Sequence, residues 1–369
     1  MNVEKESTSL ASLFDGEELN IKSVNKHIWT LALPSLIELL LATLFGMVDM
    51  VMVGNVSTAS LAAVGISNQP MMLILAVFQA LNVGTMALVA RFMGTGDRQS
   101  SYLVLKQTII LAMLLGIITS IIGFVCAHRV VTFMGAEPDV IPLAKSYFSI
   151  VSSGAFFVAV TMGVSAALRG AGDTASPMRY NLLANFINVF GNYMLIYGKL
   201  GFPALGVTGA ALSTTISRGL AMIMALYTVF RPNSLFSLPA PPKRLIDVDL
   251  MKRMLKIGLP SGVEQLALRT GQVEFARTTA SLGTTVFAAH QIALNVVGLS
   301  FAPSQAFSIA ATTLVGQSLG ANRPDIAEKC GLETRRLGMM VAASIATLFF
   351  FFGKQIANIY TNDPEVALM

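Results

Sequence analysis

Long apolar runs alternate along the chain with short polar breaks, and the runs have the length of membrane crossings. About 20 consecutive apolar residues carry a helix across the hydrocarbon. The pattern predicts nine spans, near 28–53, 61–91, 103–127, 143–168, 178–198, 207–230, 253–280, 286–318 and 336–360. Several exceed the minimum, which implies tilt or extension beyond the bilayer. Composition agrees: 54% hydrophobic residues, 12% charged and a mean hydropathy of +0.67 exclude a soluble domain and define an all-α integral membrane protein.

The pattern also repeats. "LALPSLIEL" (31–39) resembles "IGLPSGVEQ" (257–265), with Pro34, Ser35 and Glu38 matching Pro260, Ser261 and Glu264 at an offset of 226 residues. The same offset, without a gap, pairs Ala62 and Ala63 with Ala288 and Ala289, Leu88 and Val89 with Leu314 and Val315, and Gly94 with Gly320. An even number of spans separates the copies, so the repeat is expected to be parallel, with its axis along the membrane normal. The expected architecture is two six-helix bundles, the second truncated after its third helix. A tail (1–27) precedes an N-lobe (28–232); a Pro- and charge-rich linker (233–250) joins it to the C-lobe (251–369).

Charge orients the spans. The tail lacks the order of a cleavable signal peptide, and basic residues accumulate in short cytoplasmic loops. With the N-terminus inside, Lys5, Lys22 and Lys26 fall in the tail, Arg91, Arg98 and Lys106 after the second span, and Arg169 and Arg179 after the fourth. Six more follow the sixth span and four the eighth, whereas the other side receives only Arg129, Lys145, Lys199 and Lys354. The expected location is the inner (plasma) membrane with a cytoplasmic N-terminus. Basic loops facing anionic lipid account for the net charge of +5, with no nucleic-acid partner implied. Cys126 and Cys330 have no His or Cys at metal-ligand spacing, and the three histidines are dispersed, so no catalytic constellation or cofactor is expected. "GAGD" (170–173) follows a helix and reads as a turn.

Charges at membrane depth cost about 2.5–3.5 kcal/mol each at a helix centre, so each is a candidate for function. Glu38 and Asp49, 11 residues apart on the first span, lie on one stripe, since three helical turns take about 10.8 residues. Pro34 removes a backbone hydrogen bond and is expected to bend that helix, with Pro260 its counterpart, so both are candidate gating positions. A low-dielectric setting favours the neutral form of a carboxylate, so Asp49 is a candidate to exchange a proton, a sodium ion or a cationic substrate. Its alternative is a hydrogen bond to a neighbouring helix. On the seventh span Glu264 has no cation at i+3 or i+4 and is a titrating candidate, against a pairing with Arg269; Glu274 and Arg277 form a candidate structural pair. The fifth span sets Asn181, Asn185, Asn188 and Asn192 on one face, as cation ligands or as interhelical glue. "GVTGAALST" and "AATTLVGQSLGA" read as close helix packing.

"MVDMVMVG…LAAVG" in the first copy and "PSGVEQLALRTGQVEFARTTASLGTTVFAAHQIALNVVGLSFAPSQAFSIAATTLVGQSLGA" in the second resemble the multidrug and toxic compound extrusion (MATE) transporters, over essentially residues 28–369. The resemblance implies two six-helix lobes around a central cavity, and export of cationic, amphipathic drugs by antiport with H+ or Na+. Asp49 matches the family's first-helix acid, Glu264 the seventh-helix acid of the NorM-like branch, Asn188 a fifth-helix amide and Thr214 a sixth-helix position. Asn192 stands where the DinF-like branch has an aspartate. The implied coupling and substrate set is Asp49, Glu264, Asn188, Asn192, Glu38 and Thr214, with a sodium ion, if that is the coupling ion, at Asp49, Asn188 and Asn192. The expected working form is a monomer in the bilayer. A lipid-linked oligosaccharide flippase of the same superfamily is the alternative, with Arg218, Arg269 and Arg277 as its cations.

Overall fold

A computed structural model describes residues 21–232, 234–237, 246–281 and 284–360. All of their regular structure is helical: Ile21–Gly54 (α1), Thr58–Gly94 (α2), Arg98–Phe133 (α3), Ile141–Ser153 (α4), Ala155–Gly170 (α5), Ala175–Tyr197 (α6), Val207–Phe230 (α7), Val248–Ser281 (α8), Thr284–Gly320 (α9) and Pro324–Tyr360 (α10). Most of the N-terminal tail, and most of the linker, lie outside the described residues.

Helices occupy all nine predicted spans, with one correction. The span expected at 143–168 is two helices, α4 and α5, bent by 43° at a break. Its cause is local. Ser152 and Ser153 donate to carbonyls three residues back (3.2 and 2.6 Å), Gly154 N bonds Val151 O at 3.2 Å, and Thr215 Oγ1 on α7 takes the Ile150 carbonyl at 3.2 Å. Side chains and short-range bonds that compete for the i→i−4 ladder break a helix. Among the described residues, α1, α2, α3 and α7 are long and apolar enough to cross a membrane, and the α4–α5 pair makes up to five. α6, with its four asparagines, and α8, with its charges, are helical over their predicted ranges but more polar. Both α1 and α8 run unbroken through their prolines, Pro34 and Pro260. α6 stops at Gly198, whose left-handed φ of 65° suits a residue without Cβ.

Three apolar clusters hold the bundle. One joins α2, α3, α5 and α7 to the start of α8 through Phe78, Leu105, Leu168, Val229 and Met254. A second lies at the opposite end of the helices, around Val53, Tyr147, Phe148 and Ile196. The third joins α1 to α9 and α10 through Ile28, Leu31, Phe307, Leu314, Ile326 and Cys330. Cys126 and Cys330 are both free thiols.

Lipid is as apolar as leucine, so helices associate in it by close contact at small residues. The seam between α1–α7 and α8–α10 follows that rule. Gly84 abuts the Met254 carbonyl and Gly258 the Ala80 carbonyl; Gly94 abuts the Gln317 carbonyl and Gly320 the Arg91 carbonyl, with Gly316 against Ala90. These contacts lie in the helix halves nearest the basic loops. A Cβ at Gly258 would collide with backbone, which cannot swing aside. Gly258→Ala is therefore expected to cost about 1–3 kcal/mol of stability, whereas Gly65→Ala, where a Cβ meets nothing, is neutral or stabilising. Thermal unfolding of the detergent-solubilised variants checks both.

Candidate functional site

The parallel pairing of α1 with α6 builds the site. On α1 the acids Glu38 and Asp49 are 11 residues apart, and on α6 their partners Asn181 and Asn192 are 11 apart, so one register serves both. Asn181 Nδ2 donates to Glu38 Oε1 at 2.7 Å, and Asn192 Nδ2 to Asp49 Oδ1 at 2.7 Å. The two acids then diverge. Glu38 is 7% exposed and receives Arg169 Nη2, from the last turn of α5, on both oxygens at 2.8 Å. That is a charge-assisted ion pair, so Glu38, one of the candidate coupling residues, is held by Arg169 as well as by Asn181. Arg169, assigned to a loop on sequence, instead turns its side chain into the bundle.

Asp49 is half-buried and meets amides rather than a cation side chain in direct contact. The Asn188 amide satisfies both its ends only with Nδ2 toward Asp49, donating to Oδ1 at 3.1 Å and Oδ2 at 2.9 Å, while its oxygen accepts from Thr214 N and Oγ1 at 3.2 Å each. Three N–H bonds thus converge on one carboxylate, with Thr214 on α7 behind them. Asn188 is 5% and Asn192 1% exposed. One turn from Thr214, Arg218 lies within electrostatic reach of Asp49 and of Tyr147 on α4, and its buried Nη1 makes no hydrogen bond among the described residues. Sequence reasoning passed over Arg218 at this site because spacing along one helix does not reveal which helix faces it.

The expected sodium ligands do come together, but as donors: Asn188 and Asn192 present N–H, not oxygen, to Asp49. A hard cation needs oxygens. Those of the two amides are within the same cluster: Asn192 Oδ1 is buried and unpartnered among the described residues, and Asn188 Oδ1 is held by Thr214. Turning both amides would exchange donors for acceptors around the carboxylate. The residues therefore suit an ionised Asp49 as they stand, and a cation after that rotation. Asn185 joins neither cluster in any hydrogen bond among the described residues.

Glu264 on α8 is exposed, apart from this cluster, and the pairing with Arg269 weighed for it does not form: Arg269 Nη1 bonds Gln272 Oε1 at 3.0 Å. The Arg277 side chain of the expected Glu274 pair lies outside the described residues. The turn at 170–173 is a helix connection, with Ser176 N donating to Asp173 Oδ1 at 2.8 Å.

Fold and site together define a helical membrane bundle with polar groups held between helices. The comparisons agree. The MatE family profile matches residues 34–194 and 260–369. The Thermotoga maritima protein described as "Probable multidrug resistance protein NorM" is 31% identical over 94% of this chain and 74% of its own length. Multidrug resistance protein PmpM of Pseudomonas aeruginosa is 28% identical over 94% of the chain and 73% of its own. In fold, a MOP superfamily transporter from Pyrococcus furiosus superposes with a TM-score of 0.86 at 24% identity, over 98% of this chain and 77% of that one. The chain belongs to the MatE family of membrane transporters.

Proposed function

We propose that the protein is a secondary active multidrug exporter that expels organic, amphipathic cations in exchange for H+ or Na+, by alternating access between two lobes. The observation that carries this reading is Asp49: a carboxylate within a membrane-spanning bundle, held by two amides and backed by Thr214. A group at that depth is expensive and is retained where ions or substrates pass. The names of the relatives, multidrug resistance proteins NorM and PmpM, support the substrate class.

Two lobes, 28–232 and 251–369, joined by a linker at 233–250, are supported by the helix bounds. α2 and α9 each have 37 residues and start at Thr58 and Thr284; α3 and α10 start at Arg98 and Pro324. Each pair of starts is 226 apart, and the two family-matched stretches begin at Pro34 and Pro260, also 226 apart. The seam is reciprocal under the same offset: Gly94 touches Gln317 as Gly320 touches Arg91, and Ala90 meets its own counterpart, Gly316. A parallel two-fold arrangement accounts for all of these. With the basic end assigned to the cytoplasm by the positive-inside rule, the seam closes the cytoplasmic side, and the N-terminus is cytoplasmic in the plasma membrane. A monomer suits this reading, since an internally duplicated transporter carries helices of both lobes on one chain.

The test is export of a fluorescent cation from proteoliposomes under imposed proton or sodium gradients. Export that follows one gradient and collapses with its ionophore is expected. Transport indifferent to both gradients would discard the antiporter and bring the lipid-linked oligosaccharide flippase forward.

A further inference from the structure

The last turn of α5 ends in carbonyls that its own helix cannot satisfy, at a buried point where water is scarce. Their partners come from across the seam. Arg169 O accepts from Thr313 Oγ1 at 2.8 Å, besides Gly172 N at 2.9 Å in the turn, and Gly170 O accepts from Gln317 Nε2 at 3.0 Å. Both donors stand on α9, 0% and 4% exposed.

Each side is held rigidly. The Arg169 side chain grips Glu38 on α1, which Asn181 on α6 also holds. Gly170 lies against the Met86 backbone of α2, and Gly316, between the two donors, lies against Ala90. Neither the acceptors nor the donors are free to drift, so the bonds report on the separation of the lobes. The 226-residue offset pairs Thr313 with Ala87, which has no side-chain donor, so the duplicated frame does not by itself supply the Thr313 bond.

We propose that Thr313 and Gln317 form, with the terminal carbonyls of α5, a polar latch that holds the cytoplasmic side of the two lobes closed, with Arg169 as its positioning residue. Its role in transport rests on the alternating-access reading above; the latch itself does not. When the seam opens, water replaces the donors and the carbonyls lose little. When the donors are deleted, Gly170 O loses its side-chain donor and Arg169 O keeps only Gly172 N, and the closed form alone bears the desolvation cost.

The experiment places nitroxide labels at Gln99→Cys and Glu328→Cys, exposed near the starts of α3 and α10, in protein carrying Cys126→Ser and Cys330→Ala, and measures their distances by pulsed electron resonance in nanodiscs. Thr313→Val with Gln317→Leu is expected to raise the ratio of long-distance to short-distance molecules about tenfold. Thr313→Ser, which keeps the hydroxyl, is expected to match the parent, as a check that does not depend on the double variant folding. Gln317→Leu alone gives an intermediate ratio. A lower melting temperature with an unchanged distance distribution would overturn the latch and leave a merely structural contact. Export that persists in the parent while the distribution ignores both substitutions discards the latch alone; a shifted distribution in a protein that exports nothing upholds the latch and discards the exporter.

Discussion

Asp49→Asn is expected to abolish gradient-driven export while leaving the helix bundle folded. The substitution keeps size and removes charge. Asn188 Nδ2 and Asn192 Nδ2 both donate to the carboxylate, and an amide at position 49 offers them one oxygen and one nitrogen. One donor must therefore turn, which the Asn192 oxygen, without a partner among the described residues, can accommodate by accepting from the new NH2. The structural cost is about one ordinary hydrogen bond, roughly 0.5–1.5 kcal/mol. The functional cost is much larger, because a neutral amide neither releases a proton nor neutralises a cation. Coupling between ligand sites is typically worth about 5–150-fold, and a fall in gradient-driven export at the upper end of that range is expected, toward the rate of protein-free liposomes. Export measured with the fluorescent cation, beside a melting curve, separates the two costs. Export retained at half the parent rate or more would remove Asp49 from the coupling site.

The second large effect falls on stability. Arg169→Met is expected to destabilise the protein by about 3 kcal/mol, the lower end of what removing one partner of a buried ion pair costs. The lower end applies because the Arg169 side chain is 19% exposed and Asn181 continues to hold Glu38. Glu38 itself is the reason for the loss: its side chain, 9% exposed, would be left with the Asn181 amide as its one remaining hydrogen-bond partner among the described residues. Glu38→Gln should cost less, since its amide oxygen can still accept a bond, and the double variant should cost less than the two single changes added. Denaturation in detergent with all three variants tests this. A change below half a kilocalorie for Arg169→Met, the range of ordinary surface substitutions, would mean that the pair holds nothing.

The fold was legible to a large degree, because burial in lipid imposes a demand that sequence must meet locally. Every span needs its own apolar run and its own backbone hydrogen bonds, and all nine runs proved helical. The break at Gly154 was not legible as such, since it depends on Thr215 of another helix taking the Ile150 carbonyl. The site divided in the same way. The stripes on α1 and α6 follow from helical spacing within each helix. That the two 11-residue intervals meet in register, so that Asn181 receives Glu38 and Asn192 receives Asp49, does not.

Arg169 marks the boundary between the two kinds of knowledge. Counting basic residues correctly sets it near one end of its helix, but a long flexible side chain at that position can reach outward to headgroups or inward to a carboxylate, and only the position of α1 decides which. The same holds for Thr313 and Gln317, ordinary polar residues in a small-residue run until α5 brings its terminal carbonyls within 2.8 and 3.0 Å. The sequence by itself determined what is periodic or short-range: the apolar helices and the acids on one stripe. The tertiary structure alone decided which buried charge is paired and which is cradled by amides, because the energy of a polar group at membrane depth depends on partners supplied by other helices.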